Sequence, residues 1–369
     1  MQCPHCAANL LYRERGGRRC SKCKQKFAFE PKTSPLKLHD LRFRRVVEKT
    51  SANGTVWYTP SQLHHALGRK VTVEKKSGCG PISCLSLIVA GGIIAFASLQ
   101  SEVVLILATM VCAVLVVGST IIERKRPPRT KLPMPPHDFS PRVLDEWYKT
   151  YNVVPHGLIT SEHPANTSAY IPPPAQLTAV LACPERDILL CLRANGVSQQ
   201  YGLGLLPTEG PFTQDEEAFL TTLRSRPDLP LFLLHDASLA GVLLRQTVGM
   251  SLGLRAEHRI VDLGLRPDHV LKYNLMRLGE KPSSELLSIL TRRMNTTTGA
   301  NTSLSVVEFE WLKKGYYSPI LAVNPARLLR VVYNTMNKQI QQSQRSKSVN
   351  PEQQAQQKAQ AVGFMSWLE

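Results

Sequence analysis

The sequence predicts a multidomain membrane protein that has a small zinc ribbon, a transmembrane α-helical hairpin and a C-terminal α/β domain with a mainly parallel sheet. Three observations lead to this prediction. Two C-x2-C pairs begin the chain, an almost uncharged apolar block spans residues 79–122, and strands alternate with helices from residue 177 onward. A chain of 369 residues is long enough for two or three such units.

The first unit is predicted from four cysteines in the pattern C-x2-C-x13-C-x2-C. These are Cys3, Cys6, Cys20 and Cys23. Zinc takes four thiolate or imidazole ligands in a tetrahedron, and two such pairs supply all four. In a cytoplasmic segment, reducing conditions favour metal binding over disulfides. We therefore predict one structural Zn²⁺ in a zinc ribbon over residues 1–30, with two short strands that turn at Gly16-Gly17.

Residues 31–76 are predicted to form a small basic extension with two helices. Thr59-Pro60 supplies an N-cap and a first-turn proline for the second helix. A winged-helix-like unit and a simple extension of the ribbon both fit the pattern. Residues 1–76 hold 17 Lys and Arg against 5 Asp and Glu. Such a segment can face anionic lipid or nucleic acid.

The apolar block of residues 79–122 contains one charged residue, Glu102. Its two halves, residues 80–99 and 103–122, each correspond to about 30 Å of helix, which is the hydrocarbon thickness of a bilayer. Lys and Arg on both flanks predict that the N- and C-termini are cytoplasmic. The block therefore predicts a multi-pass membrane protein with two helices in the lipid bilayer. A buried helical pair in a soluble core is the alternative.

Two segments of biased composition flank the last domain. Residues 123–176 are predicted to be a Pro-rich linker with one short helix. Residues 337–369 are predicted to be a disordered Gln-rich tail, because they are rich in polar residues. The tail ends in a hydrophobic stretch, which fits either a docking peptide or a last helical turn packed on the domain.

Residues 177–336 are predicted to be a cytoplasmic α/β domain. Apolar runs read as strands, and amphipathic helices separate them. The predicted strands cover 177–183, 201–206, 229–235 and 259–263. Alternation of strands with helices predicts a mainly parallel sheet, with functional residues at the carboxyl ends of its strands.

One of these strand ends carries the segment 235–241, His-Asp-Ala-Ser-Leu-Ala-Gly. It resembles the toprim fold of topoisomerases and primases, in which a Glu after the first strand and an Asp-x-Asp-x-x-Gly motif after the third hold Mg²⁺. The resemblance implies a metal-binding role for Asp236, and Glu185 is the candidate for the glutamate, although Cys183 lies nearest that position. Ser238 replaces the second aspartate, so the acid cluster is incomplete. Ser238 is also a favourable helix N-cap.

Together these features predict a membrane-anchored cytoplasmic adaptor or scaffold without chemistry of its own. It would bind a protein or nucleic-acid partner through the zinc ribbon and a catalytically degenerate toprim-like domain. Two alternatives stay open. One is an Mg²⁺-dependent nuclease or phosphotransfer enzyme that uses Asp236 and Glu185. The other is a sensor of a small ligand such as a nucleotide, coupled to the hairpin.

Overall fold

The computed structural model describes residues 1–74, 110, 130–163, 171–296 and 304–348. The described residues form a helical unit at the N-terminal end and an α/β domain built on a parallel sheet.

Two helices follow the cysteine-rich segment, α1 (Asp40–Thr50) and α2 (Pro60–Gly68). The start of α2 follows the prediction. The Thr59 hydroxyl accepts the N–H of Gln62, and the Gln62 side chain accepts the N–H of Thr59. Pro60 takes the first helical position, where its missing N–H is not needed. Local sequence therefore determines where α2 begins.

A short antiparallel ladder joins β1 (Val73–Glu74) to β2 (Thr130–Lys131). Because these strands pair, the described residues that flank positions 75–129 lie next to each other. The chain on both sides of this segment belongs to the same helical unit.

Helical segments after β2 complete that unit. They are α3 (Pro136–Phe139), a π-helical turn (Ser140–Leu144) and α4 (Asp145–Tyr151). The ring centroids of Phe43 in α1 and Trp147 in α4 lie 4.5 Å apart, and that of Phe29 lies 5.2 Å from Phe43. The shared core extends from Ala28 to Leu158. Part of the segment predicted as a Pro-rich linker thus contributes to a hydrophobic core.

The α/β domain contains a four-stranded parallel sheet in the order β4-β3-β5-β6. Its strands are β3 (Ala179–Cys183), β4 (Leu203–Pro207), β5 (Leu231–Leu233) and β6 (Ile260–Asp262). Every residue of β3, β4 and β5 is buried, which explains their continuous apolar sequences. The predicted parallel sheet is confirmed.

Helices cover both faces of the sheet, and a small two-stranded ladder lies beside it. The remaining elements are α5 (Arg186–Ala194), α6 (Val197–Tyr201), α7 (Gln214–Ser225), α8 (Leu239–Ser251), α9 (Pro267–Lys272), β7 (Leu278–Gly279), α10 (Ser284–Thr296), α11 (Val306–Lys313), β8 (Tyr316–Tyr317) and α12 (Pro325–Ser348). Neighbouring strand residues alternate between two cores: Leu181 and Phe232 face one, and Val180 and Leu231 face the other.

The end of α12 corrects the prediction of a disordered tail from residue 337. The helix continues to Ser348, because its Gln, Lys and Arg residues are good helix formers despite their polarity. The rest of the predicted tail, with its hydrophobic terminus, lies outside the described residues.

No helix in the described part of the chain is long and apolar enough to cross a membrane. The 24-residue helix α12 has the length, but it is rich in Gln, Arg and Lys. We therefore correct the predicted fold class from a multidomain membrane protein to an α/β fold with a four-stranded parallel sheet. The predicted localisation as a two-helix multi-pass membrane protein is corrected on the same finding. The runs that suggested it, residues 80–99 and 103–122, lie outside the described residues except for residue 110.

Candidate metal centre and sheet edge

Each C-x2-C pair lies in a tight loop, and the two loops have matching hydrogen bonds. In the first, the N–H of Cys3 donates to Ala8 O at 2.9 Å, and the N–H of Ala7 donates to Cys3 O at 3.1 Å. Cys20 and Lys24 form the equivalent bonds in the second loop, at 3.0 and 2.9 Å. Ala7 and Lys24 both adopt the left-handed conformation, with φ of 57° and 61°. The same backbone turn therefore presents each pair of thiols.

The two loops bring the four thiols together. Each Sγ atom lies within 4.8 Å of the others. The Cys3–Cys23 and Cys6–Cys20 sulfur distances are 3.7 and 3.8 Å. Four sulfurs placed about 2.3 Å from one zinc ion at the corners of a tetrahedron would lie about 3.8 Å apart. The cluster can hold a metal ion, its spacing is consistent with zinc, and no other group of three or more candidate ligands occurs in the described ranges.

Hydrogen bonds to sulfur favour a thiolate at Cys20. The N–H of Cys23 donates to Cys20 Sγ at 3.4 Å, and this bond is the main cause that lowers the pKa of the Cys20 thiol to about 6. At Cys23 the Gln25 N–H lowers the pKa of the thiol, but burial and the hydrogen bonds with the other three sulfurs outweigh it and raise that pKa to about 12. Four thiolates this close repel one another unless a cation neutralises them. His5 stays outside the cluster, because its Nε2 donates to Lys26 O at 2.9 Å. The donor set is therefore four sulfurs, as a soft divalent ion requires.

The segment between the loops is a kinked 3-10 helix, Tyr12–Arg18, and not the predicted pair of strands. Buried Arg15 donates to both carboxylate oxygens of Glu30 at 2.9 Å. Arg18 pairs with Glu146 at 2.6 Å. Two of the basic side chains in this turn are thus used inside the protein, where they tie the cysteine-rich segment to the helical unit.

Ionisable side chains lie along the carboxyl edge of the parallel sheet. Glu185 follows β3, His235 and Asp236 follow β5, and Asp262 ends β6. Because β3 lies between β4 and β5, the connections after β3 and β5 run in opposite directions, which is the position where α/β sheets usually bind ligands. The two predicted acids, Glu185 and Asp236, follow these two neighbouring strands.

The carboxylate of Asp236 accepts a hydrogen bond from the protein backbone. Its Oδ1 accepts the N–H of Ile320 at 2.7 Å, and the backbone of Ala237 pairs with that of Ser318. Burial raises the pKa of Asp236, although the Ile320 N–H and the charge of His235 oppose this shift. The segment after β8 therefore covers this carboxylate.

Glu185 is half-buried at the start of α5. Burial raises its pKa, and the nearby charges of Asp236 and Asp187 raise it further. These carboxylates influence one another, yet no three of them approach closely enough to share a metal in the described residues. Cys183 is fully buried at the end of β3, and burial raises the pKa of its thiol. The predicted acids are neighbours without a preformed Mg²⁺ site.

His235 was not predicted as a site residue, yet it is the most firmly held side chain of this edge. Its Nδ1 donates to Asp236 O at 2.7 Å, and its Nε2 donates to Asp262 Oδ1 at 3.0 Å. Burial lowers the pKa of His235, but Asp262 outweighs burial and leaves that pKa raised. Burial raises the pKa of Asp262, but His235 and the Gly264 N–H outweigh it and leave that pKa lowered. The pair is therefore a buried imidazolium and carboxylate.

Glycines make room for this pair. A Cβ on Gly264 would lie 2.0 Å from His235 Nε2, and a Cβ on Gly241 would lie 2.8 Å from His235 Nδ1. Ser238 accepts the N–H of Gly241 at 3.0 Å and caps α8. In this structure, Ser238 and Gly241 of the toprim-resembling segment serve helix capping and close packing.

The chain matches no family model, and it matches none of the curated proteins compared with it. The toprim resemblance therefore has no support beyond the parallel sheet. The four-cysteine cluster and that sheet are the parts of the predicted architecture for which the structure gives direct support.

Proposed function

We propose that this protein is a non-catalytic adaptor that binds a protein or nucleic-acid partner and contains one structural zinc ion. The proposal is based on the contrast between two candidate sites, the four-cysteine cluster and the acids of the sheet edge. Four thiols are spaced for one tetrahedral ion. The acids of the sheet edge bond to the protein or remain apart.

Zinc would be held by all four cysteines and would join the two loops. Few apolar side chains are buried beside them: Leu10 is the main one, with Ala8 packed against it. A unit this small needs a metal or a disulfide to fold. Four thiolates fill the coordination shell of zinc and leave no position for a substrate, so the ion would stabilise the fold without doing chemistry.

Charge supports a binding role for the N-terminal part. Residues 1–76 carry 17 Lys and Arg against 5 Asp and Glu, and Arg13 and Arg19 are exposed. A surface of this kind attracts acidic partners and nucleic acid.

The alternative of an Mg²⁺-dependent nuclease has weaker support. Magnesium needs several oxygen ligands in octahedral geometry. Asp236 already accepts a hydrogen bond from the Ile320 N–H, so one of its oxygens is engaged by the protein. Glu185 alone cannot replace the missing ligands.

Metal analysis of the full-length protein tests the zinc assignment. We expect about one zinc per chain, and we expect Cys20→Ser to lose it because one of four ligands is removed. Cys191→Ala is the matched control, since Cys191 is a buried free thiol outside the cluster. Full zinc occupancy in Cys20→Ser would refute the four-thiolate site.

A nuclease assay tests the absence of catalysis. The full-length protein would be incubated with Mg²⁺ or Mn²⁺ and with single- and double-stranded DNA and RNA. We expect no cleavage above that of the Asp236→Ala variant. Metal-dependent cleavage that Asp236→Ala abolishes would replace the adaptor proposal with the enzyme.

A further inference from the structure

A cleft of about 1060 Å³ lies between the helical unit and the α/β domain. One wall comes from α1 and α2, and the other from the loop after α9 and the start of α12. Hydrogen bonds join the walls: Asn324 Nδ2 donates to Lys49 O at 3.0 Å, and Arg69 donates to Asn274 O at 2.6 Å. The cleft is thus a formed concavity between two bonded walls.

All of the described Lys, Arg, Asp and Glu residues that line the cleft are positively charged ones. Seven of the described residues that line it are Lys or Arg, and none is Asp or Glu. The whole chain has 45 Lys and Arg and 28 Asp and Glu, so a lining of average composition would include acidic side chains. Cations that face one another across a concave surface repel, and an anion between them relieves that repulsion.

Some of these cations also maintain the architecture. Arg42 donates to Leu36 O and to Leu67 O, both at 2.7 Å, and so connects the start of α1 to the end of α2. The guanidinium of Arg277 lies 4.7 Å from the centre of the Tyr316 ring. These contacts fix the walls while the positive charges remain at the cleft.

Three other cations are available to a ligand. Lys49, Lys70 and Arg327 are exposed, and their charged ends bond to nothing else in the described part of the chain. Lys49 and Lys70 belong to the wall of the helical unit, and Arg327 belongs to the opposite wall. A ligand that reaches all three must carry several negative charges across the cleft.

We propose that this cleft binds a polyphosphate-bearing ligand, with Lys49, Lys70 and Arg327 as its phosphate contacts. The proposal adds a ligand site to the adaptor function above and is tested independently of it. Phosphate groups suit the lining because adjacent phosphates supply several charges over a short length, and Lys and Arg are their usual protein contacts. The volume lies at the upper end of small-ligand pockets, about 300–1,000 Å³. It therefore fits a nucleotide or a short stretch of single strand.

Binding to the purified full-length protein tests this proposal. The probes are a fluorescent single-stranded oligonucleotide, a duplex of equal length, a nucleoside triphosphate and inorganic tripolyphosphate. For a single strand that makes three phosphate contacts, the logarithm of the binding constant should fall with the logarithm of salt concentration at a slope of about −2. Competition by tripolyphosphate or by the triphosphate would identify a small ligand. Binding of the single strand alone would identify nucleic acid.

Charge reversal in the cleft is the critical variant. Lys49→Glu/Arg327→Glu should weaken binding about tenfold or more and should reduce the salt slope. Arg255→Glu/Lys338→Glu makes the same change in net charge at exposed positions outside the cleft, and it should bind like the wild type. Lys70→Gln is a milder variant, in which a weaker loss is expected while circular dichroism shows an unchanged fold.

Three outcomes would overturn the proposal. These are no binding of any phosphate probe, equal weakening by the cleft and control variants, and binding of polyglutamate as tight as that of the best phosphate probe. Zinc content and nuclease activity are measured on the same samples. The cleft can therefore fail while the zinc-stabilised, non-catalytic adaptor stands, and the adaptor can fail while phosphate binding stands.

Discussion

Asp262→Asn removes the negative charge from the His235–Asp262 pair at the sheet edge. Asparagine keeps the shape of the side chain, and its amide can donate to the Nε2 of a neutral His235, so the 3.0 Å contact can persist. The negative charge is lost, and so is the acceptor of the Gly264 N–H, which donates to the same Oδ1 at 2.8 Å in the wild type. His235 then lacks the partner that raises its pKa, and burial, which lowers that pKa, becomes the dominant effect.

The pH dependence of stability should therefore change sign. In the wild type, the raised pKa of His235 gives stability that is fully present below the ordinary value of 6.5 and lost as pH rises through the folded-state pKa. The lowered pKa of Asp262 gives stability that is present above 3.8 and lost as pH falls through its folded-state pKa. The pair thus stabilises most between these two values. In the variant, a lowered histidine pKa gives stability that is present above 6.5 and lost as pH falls.

The size of the effect follows from the environment of the pair. The His235 side chain is 1 % exposed and that of Asp262 is 26 % exposed, so solvent screens the pair weakly. A hydrogen bond to a charged group contributes about 1.5–3 kcal/mol. We expect Asp262→Asn to lower the free energy of unfolding by about 2 kcal/mol near pH 5.5, and by less near pH 9, because the wild-type histidine loses its proton, and with it the ion pair, as pH rises through its raised pKa.

Urea unfolding followed by circular dichroism at both pH values measures this difference. Asp228→Asn is the control, since that carboxylate is 75 % exposed beside Arg226 and should contribute little. A loss for Asp262→Asn that is equal at the two pH values, or larger near pH 9, would refute the buried imidazolium.

Three further pairs of substitutions test other contacts. Asp40→Ala leaves two buried backbone N–H groups without the carboxylate that accepts them at 2.8 and 3.0 Å, and urea unfolding should show a loss of about 3 kcal/mol. Asp145→Ala, at an exposed position, should change stability by less than about 0.5 kcal/mol. Gly264→Ala places a Cβ 2.0 Å from the buried imidazole and should cost about 1–3 kcal/mol, whereas Gly16→Ala meets no atom within 4 Å and should leave the melting temperature unchanged. Ser238→Ala should cost about 1 kcal/mol by removing the cap of α8, while Ser238→Asp should retain stability; an equal loss in both would contradict the capping role.

Local sequence predicted local structure well in this chain. The Thr59-Pro60 signal marked the start of α2, and buried apolar runs marked the strands of the parallel sheet. The cysteine cluster was predictable because the two ligands of each C-x2-C pair are close in sequence, and one turn presents both. In each case the residues that determine the feature lie within a few positions of one another.

Features that depend on strand order were not predictable in the same way. His235 and Asp262 pair because β5 and β6 are neighbours in the sheet. Asp262 is a charged residue at the end of a predicted strand, and that pattern marks it as a candidate site residue. The sequence alone does not say which strand lies beside β6. Asp236 was predicted as a metal ligand because its motif position suggested it. The Ile320 N–H that engages it comes from a distant segment.

The helical unit shows why the domain organisation was harder to predict than its elements. Phe43 and Trp147 pack in one core although positions 75–129 separate their segments in the sequence, and β1 and β2, which flank those positions, pair with each other. This unit supplies one wall of the basic cleft and the α/β domain supplies the other. A ligand that bridges Lys49 and Arg327 would bind only the docked arrangement. At a concentration of 100 times its dissociation constant, it would stabilise that arrangement by about 2.7 kcal/mol. Docking of the two parts and binding in the cleft are therefore one coupled equilibrium, and the adaptor's partner would act on both.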